Sequence, residues 1–329
     1  MDLTLGPEQE SVRDAIRGML ADRLPLARIR AHPEVDDAVW REAGDLGWFT
    51  LGLPESAGGA GYGLPEEMIL FIELGRSLAP GPWLGTLLAA HAHAGGAAGR
   101  RVAVVDDPAD ALVRDGRLAG TADGVADAAG VDAFLVVGGT HVRWVAPDAR
   151  GLTVAVRPSI DLSRPLARVR FDGVAAEDVD ADAAALRARA TVLVAAEAVG
   201  VAERTLEASV AYAKVRQQFG RPIGSFQAVK HRCADMAVRA EVARSITTWA
   251  AVAVRDGEPD AARTVREAKA LAGDAALANA SDNVQNHGGM GFTWEADAHL
   301  YLKRAWLLEH QFGSRSAQLD ALAAAFAGC

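Results

Sequence analysis

Cysteine is almost missing from this chain, with two in 329 residues. Cys233 falls inside a helical pattern and Cys329 closes the sequence, which leaves no disulfide framework and no metal-ligand spacing. That scarcity suits a reducing, cytoplasmic setting. Aromatic residues are few as well, at 6%, whereas alanine is frequent, a balance that favours packed helices over a β-sandwich. Cations are outnumbered: 34 Lys and Arg against 43 Asp and Glu leave a net charge of −9. Such a charge does not invite nucleic acid, although local basic residues can still hold a phosphorylated small molecule. No apolar run approaches the roughly 20 residues that cross a bilayer. Residues 1–20 are amphipathic and charged, unlike a signal peptide. Neither nucleic acid nor membrane is therefore an expected partner.

The length suggests two or three domains with ample burial. Gly6-Pro7-Glu8 opens a helix in which Val12, Ile16, Met19 and Leu20 recur at helical spacing. Further helices are expected at 36–46 and 66–78, the second ended by Pro80-Gly81-Pro82, and a short alanine-rich one at 86–98. The glycine-rich stretch Pro54–Gly63 between them reads as a loop too flexible for either regular structure, lining a cleft or turning a corner. At Arg101 the texture changes to short β-branched runs at 102–105, 134–137, 142–145, 152–156 and 167–171, separated by Asp and Gly and expected to pair antiparallel. Helical texture returns at Ala181, with helices near 184–217, 226–255, 260–288 and 295–311 and a final segment at 314–327. The expected fold is thus mainly α with a small β-domain: an N-terminal α-domain at 1–100, a β-domain at 101–180 and a C-terminal helical bundle at 181–329.

The stretch Arg216–Met236, RQQFGRPIGSFQAVKHRCADM, reads as a helix end, a turn at Gly220-Arg221-Pro222 and a new helix from Phe226. The elbow presents Arg216, Gln218, Phe219 and Gln227. They combine a permanent cation, amide groups and an aromatic face, the parts needed to hold a phosphorylated, ring-bearing ligand. Equally, such a corner can be solvated, with one stapling Phe.

This segment, with its Phe-Gly, its Phe-Gln and the following Ala234-Asp235-Met236, resembles the C-terminal signature of the acyl-CoA dehydrogenases. QNHGGMGFTWE at Gln285–Glu295 resembles their second signature, and PESAGGAGYG at Pro54–Gly63 followed by FIELGRS at Phe71–Ser77 resembles their N-terminal domain. The resemblance spans nearly the whole chain and is weakest in the middle. It implies the three-domain plan, an acyl-CoA substrate, electron-transfer flavoprotein as acceptor, and FAD bound across a subunit interface. Arg216, Gln218 and Phe219 would then grip the pyrophosphate and adenosine of a neighbour's FAD, while Gln285, Gly288 and Gly289 let backbone approach it. The two glycines would also cap their helix. His287 reads as a packed or solvated residue, and Glu295 as a structural carboxylate near a helix start.

Two parts of the family pattern are missing. The flavin-covering segment of the type T-E-P-x-A-G-S-D is not found, the nearest stretches being Asp115–Val125 and Asp132–Gly139. Neither family position of the carboxylate base holds an acid: Phe312 stands at one and Ala190, followed by Thr191, at the other. Glu197 and Glu309 lie nearby, and Glu309 is the remaining catalytic candidate. The chain keeps the residues that serve a neighbour's flavin and lacks those that serve its own. In this it resembles the short chains of actinobacterial, steroid side-chain type dehydrogenases, which assemble as α2β2 with a longer subunit. A self-sufficient homo-oligomer using Glu309 and a non-catalytic scaffold are the alternatives.

Overall fold

The structure, a computed structural model, describes residues 3–93, 96 and 98–327. Cys329 and part of the helical run read at 86–98 lie outside them. The chain divides into two compact units, one of residues 1–26, 64–79 and 191–329 and the other of residues 27–63 and 80–190.

The first unit is helical: α1 (Pro7–Arg23), α3 (Leu64–Ser77), α5 (Ala183–Val215, from Thr191 onward), α6 (Gln227–Asp256), α7 (Ala261–His287), α8 (Ala298–His310) and α9 (Arg315–Ala327). Alanine does two jobs here. It favours helix, and its small side chain lets axes approach, so Ala195, Ala196, Ala202, Ala268, Ala272, Ala276 and Ala280 are buried to 1% exposure or less. The closest approach needs glycine. A Cβ on Gly75 of α3 would sit 2.0 Å from the Glu197 carbonyl oxygen of α5, and one on Gly200 of α5 would sit 2.0 Å from the Ile72 carbonyl oxygen of α3. The α6–α7 turn is set by Gly257 at φ +67, a left-handed cap.

The second unit holds α2 (Asp37–Asp45), α4 (Trp83–Ala92) and two sheets. The scarce aromatics gather here: Trp40 lies 4.6 Å from both Phe49 and Trp83, ring centre to ring centre, and all three are buried. Trp40 Nε1 donates to the Gly99 carbonyl at 2.7 Å and Trp83 Nε1 to that of Pro80 at 2.7 Å, so both polar edges are satisfied. The glycine-rich loop is more regular than expected. Glu55–Ala57 forms a 3-10 turn, and Gly59 and Gly61 donate to the carbonyls of Pro54 and Leu53 at 3.2 and 2.9 Å. Backbone hydrogen bonds, invisible to composition, order it.

One sheet runs β1 (Val102–Asp107), β4 (Ala133–Gly138), β5 (Val142–Val145), β8 (Glu177–Asp178). The other runs β2 (Val113–Arg114), β3 (Arg117–Ala126), β7 (Leu166–Val174), β6 (Leu152–Arg157). β4 is buried at every residue, whereas β7 alternates, with Ala167, Val169 and Phe171 inward and Arg168 and Arg170 outward. Val105, Leu118, Phe134, Val145, Val169 and Phe171 make one core from both sheets. The expectation of purely antiparallel strands is corrected at one pair: β1 and β4 are parallel. Between them the chain makes β2 and β3 in the other sheet and returns in the same direction, a topology that strand composition does not encode.

Gly200→Ala tests the α3–α5 contact. Alanine gains up to about 1 kcal/mol of helix propensity, but the added methyl meets main chain. We expect a net loss of about 2 kcal/mol, read as a lowered thermal midpoint; an unchanged midpoint would show that the helices separate freely.

Candidate functional site

The expected elbow is a hairpin. α5 ends at Val215, and β9 (Gln217–Gln218) pairs antiparallel with β10 (Arg221–Pro222) around a two-residue tip. At the tip Phe219 has φ +53 and Gly220 φ +77, the pair of left-handed residues that a tight hairpin with the right twist demands. Glycine adopts this conformation freely, but phenylalanine is strained by roughly 1–2 kcal/mol. Phe219 is 90% exposed, so the chain's own packing gives little back for that strain. Phe226, the N-cap of α6, meets Phe219 edge-on at 6.0 Å and lies 4.3 Å from the Arg221 guanidinium. α6 begins with no acidic residue in its first turn and no side-chain cap, leaving its positive dipole end unneutralised. Among the described residues Lys214, Arg216, Arg221 and Lys230 have no carboxylate partner, although the chain as a whole is acidic.

The second signature lies at the same end of the helical unit. Gln285 is exposed, Asn286 buried and His287 half-buried at the end of α7. Gly288 then takes φ +60 and ψ −140, a conformation open to glycine, while a Cβ on Gly289 would meet nothing within 4 Å. Both glycines are exposed. Polar contacts bind the two signatures together. Ser209 Oγ donates to Asn283 Oδ1 at 2.9 Å, Arg232 Nη1 to Asn286 Oδ1 at 2.9 Å, and the Tyr212 and His287 rings stack at 4.2 Å.

Deeper in the bundle Asn279 Nδ2 donates to the carbonyls of Ala202 (3.0 Å) and Met236 (2.9 Å), and its Oδ1 accepts from Arg239 Nε at 2.9 Å. Asn279, Asn283 and Asn286 fall on one face of α7. Sequence reading passed over that stripe, although its i, i+4, i+7 spacing was a signal.

The structure therefore brings Arg216, Gln218, Phe219, Gln285, Gly288 and Gly289 to one exposed end. The donor set, unneutralised cations with amides, a bare aromatic face and a glycine turn, suits a dianionic phosphate ester carrying rings. Neither a cavity of about 360 Å³ near Val35, Pro82 and Arg101 nor one of about 260 Å³ near Leu24, Arg76 and Tyr301 includes any of these residues.

The base positions hold no acid in space either. Phe312 is 7% exposed at φ +52, and Ala190 and Thr191 are buried. Glu197, embedded in an apolar run, is gripped by Arg304 Nη1 at 2.6 Å with both side chains buried. The Glu309 carboxylate accepts from the Arg315 backbone N–H at 2.8 Å and pairs with His310 at 2.9 Å, serving the start of α9. Glu295 is exposed. Lys269, 1% exposed and also missed by sequence reading, donates to the carbonyls of Glu309 (2.9 Å) and Gly313 (3.0 Å) and so fastens the loop that carries Phe312. Burial pushes its ammonium down to about 8, an effect that the nearby Glu309 carboxylate offsets only in part.

The chain is similar to known proteins. The N-terminal domain model of the acyl-CoA dehydrogenases matches residues 6–100 and the C-terminal domain model residues 183–327. The chain is 36% identical to acyl-CoA dehydrogenase IpdE2 of Mycobacterium tuberculosis, over 92% of each. It is also 36% identical to acyl-CoA dehydrogenase FadE34 of that organism, over 93% of this chain but 46% of FadE34, so it spans about half of that relative. Among solved structures, the ChsE4–ChsE5 complex from Mycobacterium tuberculosis matches with a TM-score of 0.89 at 27% identity over 100% of both chains. A variant of the steroid acyl-CoA dehydrogenase Tcur3481–Tcur3483 matches with a TM-score of 0.88 at 30% identity over 99% of both.

Lys269 yields a pH signature. Its folded value of about 8 lies below the ordinary 10.5, so between them the unfolded chain holds a proton that the folded chain has released. Stability should therefore rise as pH climbs from about 8 towards 10.5, by roughly 3 kcal/mol at most. Urea unfolding at about pH 7.5 and about pH 9.5 should show this gain in the wild type and not in Lys269→Met; parallel pH profiles would remove Lys269 as its source.

Proposed function

Since the chain belongs to the acyl-CoA dehydrogenase family of oxidoreductases, we propose that it is the short subunit of an FAD-dependent enzyme that dehydrogenates an acyl-CoA thioester between its α and β carbons. Its domains are taken as 1–100, 101–180 and 181–329. In this reading it presents Arg216, Gln218, Phe219, Gln285, Gly288 and Gly289 to FAD held mainly by a longer dehydrogenase chain, in an α2β2 assembly. The observation that carries the proposal is the Phe219 tip, a strained and bare aromatic among cations without carboxylate partners. Strain of this kind persists where something outside the chain's own packing uses it.

Bound FAD supplies the acceptor for the β-hydrogen's hydride. This chain's part is binding: Arg216 balances pyrophosphate charge, Phe219 offers a ring face to the adenosine region, and Gly288 and Gly289 admit the cofactor close to the backbone. The α-proton goes to a carboxylate of the partner, because Phe312 and Ala190 hold this chain's own base positions and Glu197 and Glu309 are committed to other contacts. The two-component neighbours, one described as a steroid enzyme, support a steroid-derived acyl group over a simple fatty acyl group. Electron-transfer flavoprotein would be the acceptor that such an enzyme uses. Among the described residues no helix is long and apolar enough to cross a membrane.

Expressed alone, the chain should be colourless; produced with a longer dehydrogenase chain encoded beside it, it should give a yellow complex with about one flavin per pair of chains. Arg216→Ala should weaken flavin retention in that complex by roughly tenfold or more, whereas Glu309→Gln should leave turnover unchanged. A yellow, active homo-oligomer that Glu309→Gln inactivates would overturn the assignment.

A further inference from the structure

Tyr212 and His287 occupy a particular place between the two signatures. Tyr212 lies one helical turn before Arg216, and its carbonyl accepts the Arg216 backbone N–H at 2.9 Å. His287 directly precedes Gly288. Its Nδ1 is anchored to the Asn283 carbonyl at 2.8 Å, and its ring centre lies 4.2 Å from that of Tyr212 with the two planes 23° apart. Beyond this stack residues 214–222 and 288–290 are all exposed. The stack is thus the last aromatic contact between α5 and α7 before the chain leaves the bundle on both sides, among the described residues.

We infer that Tyr212 and His287 form a positioning pair: their stack sets the spacing between the Arg216 hairpin and the Gly288–Gly289 turn, and through it the affinity for the pyrophosphate-bearing half of the cofactor. Neither ring touches that ligand. The inference rests on the cofactor reading proposed above. A charged phosphate gripped from two sides is sensitive to the separation of its holders, because the benefit of a preorganised site falls once the groups must be brought together at binding. Ring pairs of this geometry have energies that correspond to up to about tenfold in affinity.

The test is FAD titration of the flavin-stripped complex. Tyr212→Leu and His287→Leu should each raise the FAD dissociation constant by about tenfold. Removing both should cost little more than removing one, because the two residues act through a single contact. Tyr212→Phe, which keeps the ring, should stay within about twofold. kcat at saturating FAD should not change in any of them, since a purely structural lesion near the site would lower it too.

Unchanged FAD affinity in both leucine variants, with Arg216→Ala still weakening binding, overturns the positioning pair and leaves the cofactor reading standing. Unchanged affinity in Arg216→Ala as well overturns both. A loss in Tyr212→Phe equal to that in Tyr212→Leu assigns the effect to the hydroxyl and also rejects the stack. Should a leucine variant fail to assemble, His287→Phe decides. An affinity within about twofold of wild type supports the stack, and a tenfold loss rejects it.

Discussion

The helical unit depends on one buried amide. Asn279 sits among α5, α6 and α7, donating to a carbonyl of each neighbour and accepting from Arg239. A carboxamide in that position cannot rotate without orphaning a group, and each orphan costs about 1–3 kcal/mol. The apolar contacts of the bundle are mostly alanine, which fixes distance but has little shape to fix rotation or register. Asn279 supplies that register, and Asn283 and Asn286 carry it along the same face towards the helix ends. The signatures meet where they do because the helices beneath them cannot slide.

Charge is distributed to the same end. Buried and half-buried acids are paired inside the unit, Glu73 with Arg17, Glu203 with Arg76 and Glu197 with Arg304, and the exposed Glu207 also pairs with Arg76. These pairs add little net stability individually, because desolvation offsets attraction, but breaking one leaves a buried charge alone. Their consequence is spatial. These acids sit in interhelical pairs, and among the described residues none of them is partnered with the cations of the hairpin.

Much of the fold was legible in the sequence because its signals are local. Proline and glycine marked helix ends, β-branched runs marked strands, and the signature segments pointed to the exposed end where the candidate residues lie together. What stayed hidden depends on residues far apart or on backbone geometry. Nothing in Phe219-Gly220 announces a left-handed pair, since that turn usually recruits Asn or Gly at its first position. Glu197 drew notice only as an acid near Ala190, and its partner Arg304 is 107 residues away. The parallel pairing of β1 with β4 belongs to topology and has no counterpart in either strand's composition.

The hairpin also bears on how the chain fares before assembly. Val215, Phe219 and Phe292 are 74, 90 and 72% exposed, and Trp294 and Met290 about half. Such a surface clings to other apolar surfaces, including copies of itself. A cell that makes this chain faster than whatever covers that end accumulates a sticky surplus. Covering that apolar end is then a condition for keeping the protein dispersed.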